Sequence, residues 1–500
     1  MKKTIRFVSI LLALFFVIAC FAACGNDTPP SETPGDSGEP NTGDTSDFDE
    51  NGYEKDSIPT NTNFGGKTFN ILSWAENNDY LFPAQASETD VIAYDIYMRN
   101  RGIEENYDCT LKPDVVNGSW ANQTTFLSKA RMAGQLDYDL IASYSLWPTV
   151  LAQEGLLANL LNLKYPEVTK PWWSTCAETY TYNSALYYLT CPSSRGSIMQ
   201  AEVMFANTTL LENYAPDEDV LQKVIDGDWT YEYFLTLTRN FSGLADSENE
   251  SDRIYALVVD DESRMDAFYY GAGFHSIVRN EDGSMTLDFT GRTKLDQIST
   301  YADSLYQLFS QDNGFIVHEN DSIAEMKSNQ AVFGVAGMAV IVQLGDHNTY
   351  SPIPLPRYTT ASATDKRYYT CQTNAYDIWC IPNTTANAEQ AGIIVEAIAS
   401  SDYRSIFPKF YKEKLQLRYS DTVTGFKIFD IIRDSIITDF GRLEQLSLNN
   451  CGIEGIWRRV FEPSSKYYGS FMTAYENANG DGQLEIALKK LLTAYKGGKK

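Results

Sequence analysis

Between Lys67 and Ala142 short apolar runs alternate with amphipathic stretches, and this rhythm restricts the fold more than any other feature. Lys67–Ser73 (KTFNILS) follows a Gly-Gly turn and predicts a buried strand. Ser87-Glu88-Thr89-Asp90 then caps a helix that carries Val91, Tyr94, Ile96, Met98 and Ile103 and ends near Asn106. Cys109–Val115 is a second strand, Gln123–Met132 a second helix and Asp137–Ala142 (DYDLIA) a third strand. Strands separated by helices in this way form a parallel sheet covered on both faces. Further strands are expected at Ile254–Val259, Gln330–Ala336 and Ala375–Ile381, and Ala388–Tyr495 reads as mainly helical. No internal repeat is visible.

The N-terminus speaks to location. Lys2, Lys3 and Arg6 precede an apolar run, Phe7–Ile18, of a length suited to a signal peptide and too short for a membrane span. Ala19-Cys20-Phe21-Ala22-Ala23-Cys24 follows, in the manner of a bacterial lipobox. A polar linker starts directly after Cys24, so Cys24 is favoured over Cys20 as the lipidated, palmitate-bearing residue. An ordinary cleaved signal peptide is the plainer alternative. The expected divisions are a signal peptide over 1–23 and a lipidated cysteine with a disordered acidic tether over 24–62. Ten acids against Lys55 in that stretch should keep it extended. The expected address is the outer face of the cell membrane, with the body held by its lipid.

Charge and motif content exclude several classes. The formal net charge of −26, from 66 acids against 40 Lys and Arg, argues against nucleic acid as a partner. Three histidines (His275, His318, His347) and no C-x-x-C pattern make a zinc enzyme improbable, and no cofactor or metal motif is present. Asn477–Gly482 has a trace of a calcium loop, but Leu488 stands where the twelfth-position Glu belongs, so a polar loop is favoured. Six cysteines beyond the leader (Cys109, Cys176, Cys191, Cys371, Cys380, Cys451) read as buried thiols, with disulfides allowed outside the cytoplasm.

Several local segments carry a resemblance. These are Gln153–Leu157 with Leu160 and Leu163, Phe205–Leu211 (FANTTLL, with Thr208 where a Lys is usual), Asp228–Phe234 (DWTYEYF), Met326–Phe333 (MKSNQAVF) and Asn387–Ala391. Their order and spacing resemble the extracellular carbohydrate-binding proteins of ABC importers, a family that includes maltose-binding-like lipoproteins. The resemblance spans roughly 64–495. It implies an α/β, two-lobed periplasmic-binding-protein-like (type II) fold, with discontinuous lobes joined by hinge strands. The lobe segments expected are 63–200 for the first lobe and 201–330 for the second. A return to the first is expected over 331–375, then second-lobe and C-terminal helices over 376–500. A carbohydrate in the cleft, permease subunits in the membrane, a monomeric chain and no catalysis are the implied function. A surface glycan-binding or sensory lipoprotein, and behind it a surface glycosidase, are the alternatives.

A sugar cleft combines aromatic platforms with planar polar groups. Position singles out Trp74, Glu76 and Asn77 after the first strand, and Ser143, Tyr144 and Trp147 after the third. Arg195 lies in a Ser/Gly-rich crossover, where it could fork onto hydroxyls or a carboxylate. Tyr269, Tyr270 and Phe274 follow a helix of the second lobe; Gly337 and Met338 end a strand, and Tyr376 and Asp377 sit close to a hinge. Trp229 reads as structural. A paucity of Lys, Arg and His near these loops disfavours phosphate-rich ligands.

Overall fold

β1 (Lys67–Trp74) is the centre of the first sheet in this computed structural model. The structure describes residues 47–85, 90–117, 125–129, 132–133, 136–241, 243–311, 314–316, 322–345, 349–358, 365–448 and 452–495. Cys20 and Cys24 lie outside these residues, as do His318, His347 and Cys451. β1 pairs in parallel with β2 (Cys109–Val116) on one side and β3 (Leu140–Tyr144) on the other. Its apolar run is buried because helices cover both faces of this sheet. One is Val91–Tyr107, whose Asp90 cap accepts hydrogen bonds from the backbone N–H groups of Ile92 and Ala93 at 3.0 and 3.1 Å.

The second sheet has five strands in the order β10-β4-β9-β5-β8. Its members are β4 (Glu202–Asn207), β5 (Tyr255–Val259), β8 (Gly314–Ile316), β9 (Ala331–Gly337) and β10 (Tyr350–Ile353). β6 (Ile277–Arg279) and β7 (Met285–Leu287) form a separate hairpin. β4 and β9 are buried along their whole length, as central strands of a two-layered covering must be. Trp229 packs under this sheet with its indole N–H on the Pro354 carbonyl at 3.0 Å, in the structural role expected of it. β11 (Asp377–Cys380) completes the first sheet, antiparallel to β3.

Three expected divisions are corrected. Residues 331–375 are expected in the first lobe, but β9 pairs with β4 and β5, and β10 with β4, in the second sheet. The return to the first sheet comes with β11 and the Ala388–Ser401 helix, which packs on the Val91–Tyr107 helix, so the expected second-lobe assignment of 376–500 is corrected over its first part. Beyond Ser401, Asp402 accepts from Arg99 at 2.5 Å, and Lys409 reaches Asp95 at 2.6 Å. The acidic tether is also shorter than 24–62. Residues 48–62 lie on the body: Glu54 pairs with Lys170 at 2.7 Å, Asp56 with Arg404 at 3.1 Å, and Ile58 is buried. Glu54 and Asp56, two of the acids expected to repel their neighbours, are paired with cations of the body instead.

Candidate ligand-binding cleft

The two sheets are joined by antiparallel crossing segments. Glu202 N–H donates to the Cys371 carbonyl at 2.8 Å, and Thr373 N–H donates to the Gln200 carbonyl at 2.7 Å. A third contact runs beside them, where Thr370 exchanges backbone hydrogen bonds with Ser435 and Ile437 at 2.8 and 2.9 Å. These segments are a hinge ribbon. Where they leave the sheets, a cavity of about 320 Å³ opens against the carboxyl ends of β3 and β9. In open α/β sheets this edge is where ligands bind. Cavities of about 330, 400 and 410 Å³ also occur among the described residues, but no strand of either large sheet lines them.

The wall combines both sheets. Tyr144 ends β3, Gly337 ends β9, and Glu202 opens β4 directly opposite Gly337. Gln200, Thr373 and Asn374 come from the hinge ribbon, and Ala339 and Val340 follow β9. Gly337 is needed for closeness: a Cβ there would stand 3.3 Å from Thr373 Cγ2. Three guanidiniums complete the wall: Arg264 after β5, and Arg442 and Arg458 from C-terminal helices.

An ionic network fixes those arginines. Arg264 Nη1 donates to Glu202 Oε1 at 2.8 Å, and its Nε lies 3.5 Å from Asp260 Oδ2. Arg442 donates to Asp266 Oδ2 at 2.8 Å and, through Nε and Nη2, to the Gln372 carbonyl at 3.1 and 2.8 Å. Arg458 holds the other side of Asp266, its Nε 3.0 Å from Oδ1. Burial opposes ionisation of Asp266, but the Arg458 and Arg442 guanidiniums prevail and hold its carboxyl below the usual range. Burial pushes Glu202 up despite Arg264, and pushes Glu454, beside Asp266, up to about 7.

Of the residues singled out from sequence, Tyr144 and Gly337 stand in this wall. Trp74 and Trp147 pack behind Tyr144, with ring centroids 4.9 and 6.4 Å away. Trp74 is therefore a support for the wall and not its surface. Glu76 and Asn77 lie in the Ala75–Leu81 helix, their side chains outside the described residues. The others lie outside the wall. Ser143 is buried on the opposite face of β3, across from Ile378. Arg195 pairs with Asp90 at 3.2 Å and stacks over Tyr80 and Phe410 within the first lobe. Tyr269, Tyr270 and Phe274 are core: Tyr269 donates to the His275 carbonyl, Tyr270 to Glu454, and Phe274 packs on Tyr301. Met338 is buried, its N–H on the Ala201 carbonyl at 2.8 Å. Tyr376 is buried with its hydroxyl 3.4 Å from that of Tyr180, and buried Asp377 pairs with Tyr144 across the sheet.

The expected paucity of cations at the cleft is overturned by Arg264, Arg442 and Arg458. One sequence signal could have found Arg264: the loop after β5, Asp260–Asp266, occupies the same strand edge as the loops after β1 and β3. A second is the four-residue spacing of Glu454 and Arg458, which puts two charges on one face of a helix rich in apolar residues.

No known family profile matches the chain, and no curated protein does. Solved structures do match. UgpB from Mycobacterium tuberculosis, in complex with glycerophosphocholine, is 12% identical and aligns over 84% of this chain and 98% of its own, with a TM-score of 0.55. The ABC transporter associated binding protein from B. animalis subsp. lactis Bl-04, in complex with beta-1,6-galactobiose, is 12% identical over 84% of this chain and 98% of its own, at 0.54. An ABC transporter solute-binding protein from Thermotoga lettingae TMO, bound with alpha-D-tagatose, is 16% identical over 86% of this chain and 100% of its own, at 0.50. Identities this low establish architecture: the chain has the two-lobed α/β fold of ABC transporter solute-binding proteins.

Proposed function

We propose that this chain is the solute-binding component of an ABC importer, that it captures a mono- or oligosaccharide between its two sheets, and that it delivers the sugar to permease subunits. The observation that carries this reading is the polar cavity at the carboxyl ends of β3 and β9, bordered by the hinge ribbon. A ligand touching both sheets favours the closed arrangement of the lobes, and a permease that recognises that arrangement senses the ligand. Binding without turnover fits the wall. Among the described lining residues Glu202 is the one carboxylate, whereas glycoside hydrolysis generally uses a pair flanking the bond. The reading includes a monomeric chain held on the outer face of the membrane by lipid on Cys24, a site the leader sequence supports.

Thermal unfolding of the purified protein against mono- and oligosaccharides, with amino acids, polyamines and peptides as controls, tests it. A saccharide at about 100 times its dissociation constant stabilises the fold by about 2.7 kcal/mol. A saturable shift with a saccharide that is recovered intact is the expected result. Failure of every saccharide, or recovery of a cleaved product, overturns the reading.

A further inference from the structure

We propose that the solute is an anionic saccharide, carrying a carboxylate or sulfate group, and that Arg264 and Arg458 receive that group. The inference rests on the reading of this cavity as a saccharide site and deepens it.

The charge of the wall runs against that of the chain. Acids outnumber Lys and Arg by 66 to 40 overall, yet among the described lining residues the wall holds three guanidiniums and one carboxylate, that of Glu202. The acids that position these arginines stand behind them: Asp260 and Asp266 are each 1% exposed, and neither lines the cavity. Side chains of Arg264 and Arg458 are 20% and 25% exposed, so both reach the open space.

Each arginine is fixed by buried acids and keeps a donor to spare. Arg458 spends Nε and Nη2 on Asp266, and among the described residues no partner meets its Nη1. Arg264 spends Nη1 on Glu202 and its buried Nε lies 3.5 Å from Asp260, so its Nη2, which no described residue meets, is the donor left. Arg458, locked along one edge, presents its Nη1 end preoriented, and with Arg264 Nη2 it supplies charged N–H donors of the kind that suit a planar carboxylate or a sulfate. Partial burial of such groups costs desolvation that a neutral hydroxyl compensates poorly and an anion compensates well. Aromatic stacking offers little competition, since Tyr144 is the one aromatic side chain among the described lining residues.

The test is calorimetric titration of the purified protein with matched saccharides: galactose against galacturonate and galactose 6-sulfate, glucose against glucuronate, and galactobiose against digalacturonate. Sodium acetate and sodium sulfate serve as anion controls. The acidic member of a pair should bind at least 100-fold tighter than its neutral partner, and its affinity should fall as salt rises from about 50 to 500 mM. The uronate and sulfate arms separate the two anions. Arg458→Gln should lower affinity for the acidic member at least 30-fold and narrow its margin over the neutral partner. Arg458→Lys, which keeps the charge and its hold on Asp266, should give an intermediate loss if the glutamine variant does not fold. Equal or tighter binding of the neutral members overturns the anionic assignment and leaves the transport reading standing. Binding of sulfate or acetate alone overturns the saccharide, and no binding of either kind of saccharide overturns the proposed function as well.

Discussion

Asp266 and Arg442 form a buried ion pair at 2.8 Å beneath the cleft, and Arg442 passes the restraint to the hinge through the Gln372 carbonyl. The same carboxylate also holds Arg458. Removing it leaves two guanidiniums without their counter-charge, of which Arg442 is buried. Asp266→Ala should therefore destabilise the protein by about 3–5 kcal/mol, read from the midpoint of urea unfolding. A change under about 1 kcal/mol would mean that the network is solvated and does not hold the arginines in place.

Buried Glu396 should make stability depend on pH. Burial pushes its carboxyl up to about 7, although Trp173 Nε1 donates to it at 2.7 Å. Glu444, buried beside Tyr495, is pushed up to about 7 as well. The unfolded carboxyl titrates near its ordinary value of about 4.3, so between there and about 7 the folded state binds more protons. Stability is then greatest below that window and declines as pH rises through it. Glu396→Gln should remove about 2–3 kcal/mol of the decline between pH 5 and pH 8, measured by urea unfolding at each pH. Identical pH profiles for the two proteins would show that Glu396 is ionised at no cost.

The cysteines should be inert in the native protein. Cys109, Cys176, Cys191, Cys371 and Cys380 are free and buried, in keeping with the thiol reading of the sequence. Burial pushes Cys109 up to about 11 and Cys176 and Cys371 up to about 12, so the reactive thiolate is scarce near neutral pH. Maleimide at pH 7.5 should leave all five unlabelled in the folded protein and label them in urea, read peptide by peptide by mass spectrometry. Rapid native labelling of any of them would place that thiol in solvent.

Local features of the chain were legible, and pairings were not. KTFNILS, the Asp90 cap and the run after Cys109 became β1, a helix and β2 because their periodicity depends on a few neighbouring residues. The sheet that receives β9 depends on β4 and β5, more than seventy residues earlier, and nothing within AVFGVAG names those partners. The cleft was half legible for the same reason. Tyr144 and Gly337 end strands, where fold logic points. Arg442 and Arg458 reach the cavity from helices far along the chain, and their shared contact with Asp266 exists only after folding. Aromatic residues misled: Tyr269, Tyr270 and Phe274 have the composition of a sugar platform, but in the core Tyr269 packs against Trp457 and Tyr270, and Phe274 against Tyr301.

The central claim is that the cavity between β3 and β9 takes the solute. Ala339 lines it from a half-buried position beyond β9, so a larger side chain there can project into the cavity without entering the core. The direct measurement is calorimetric titration of Ala339→Trp with whichever saccharide stabilises the wild type, beside thermal unfolding of both proteins. Loss of binding by at least 100-fold, with an unfolding midpoint within about 2 °C of wild type, is the predicted result. Wild-type affinity in a folded Ala339→Trp protein would contradict the account and put the solute elsewhere.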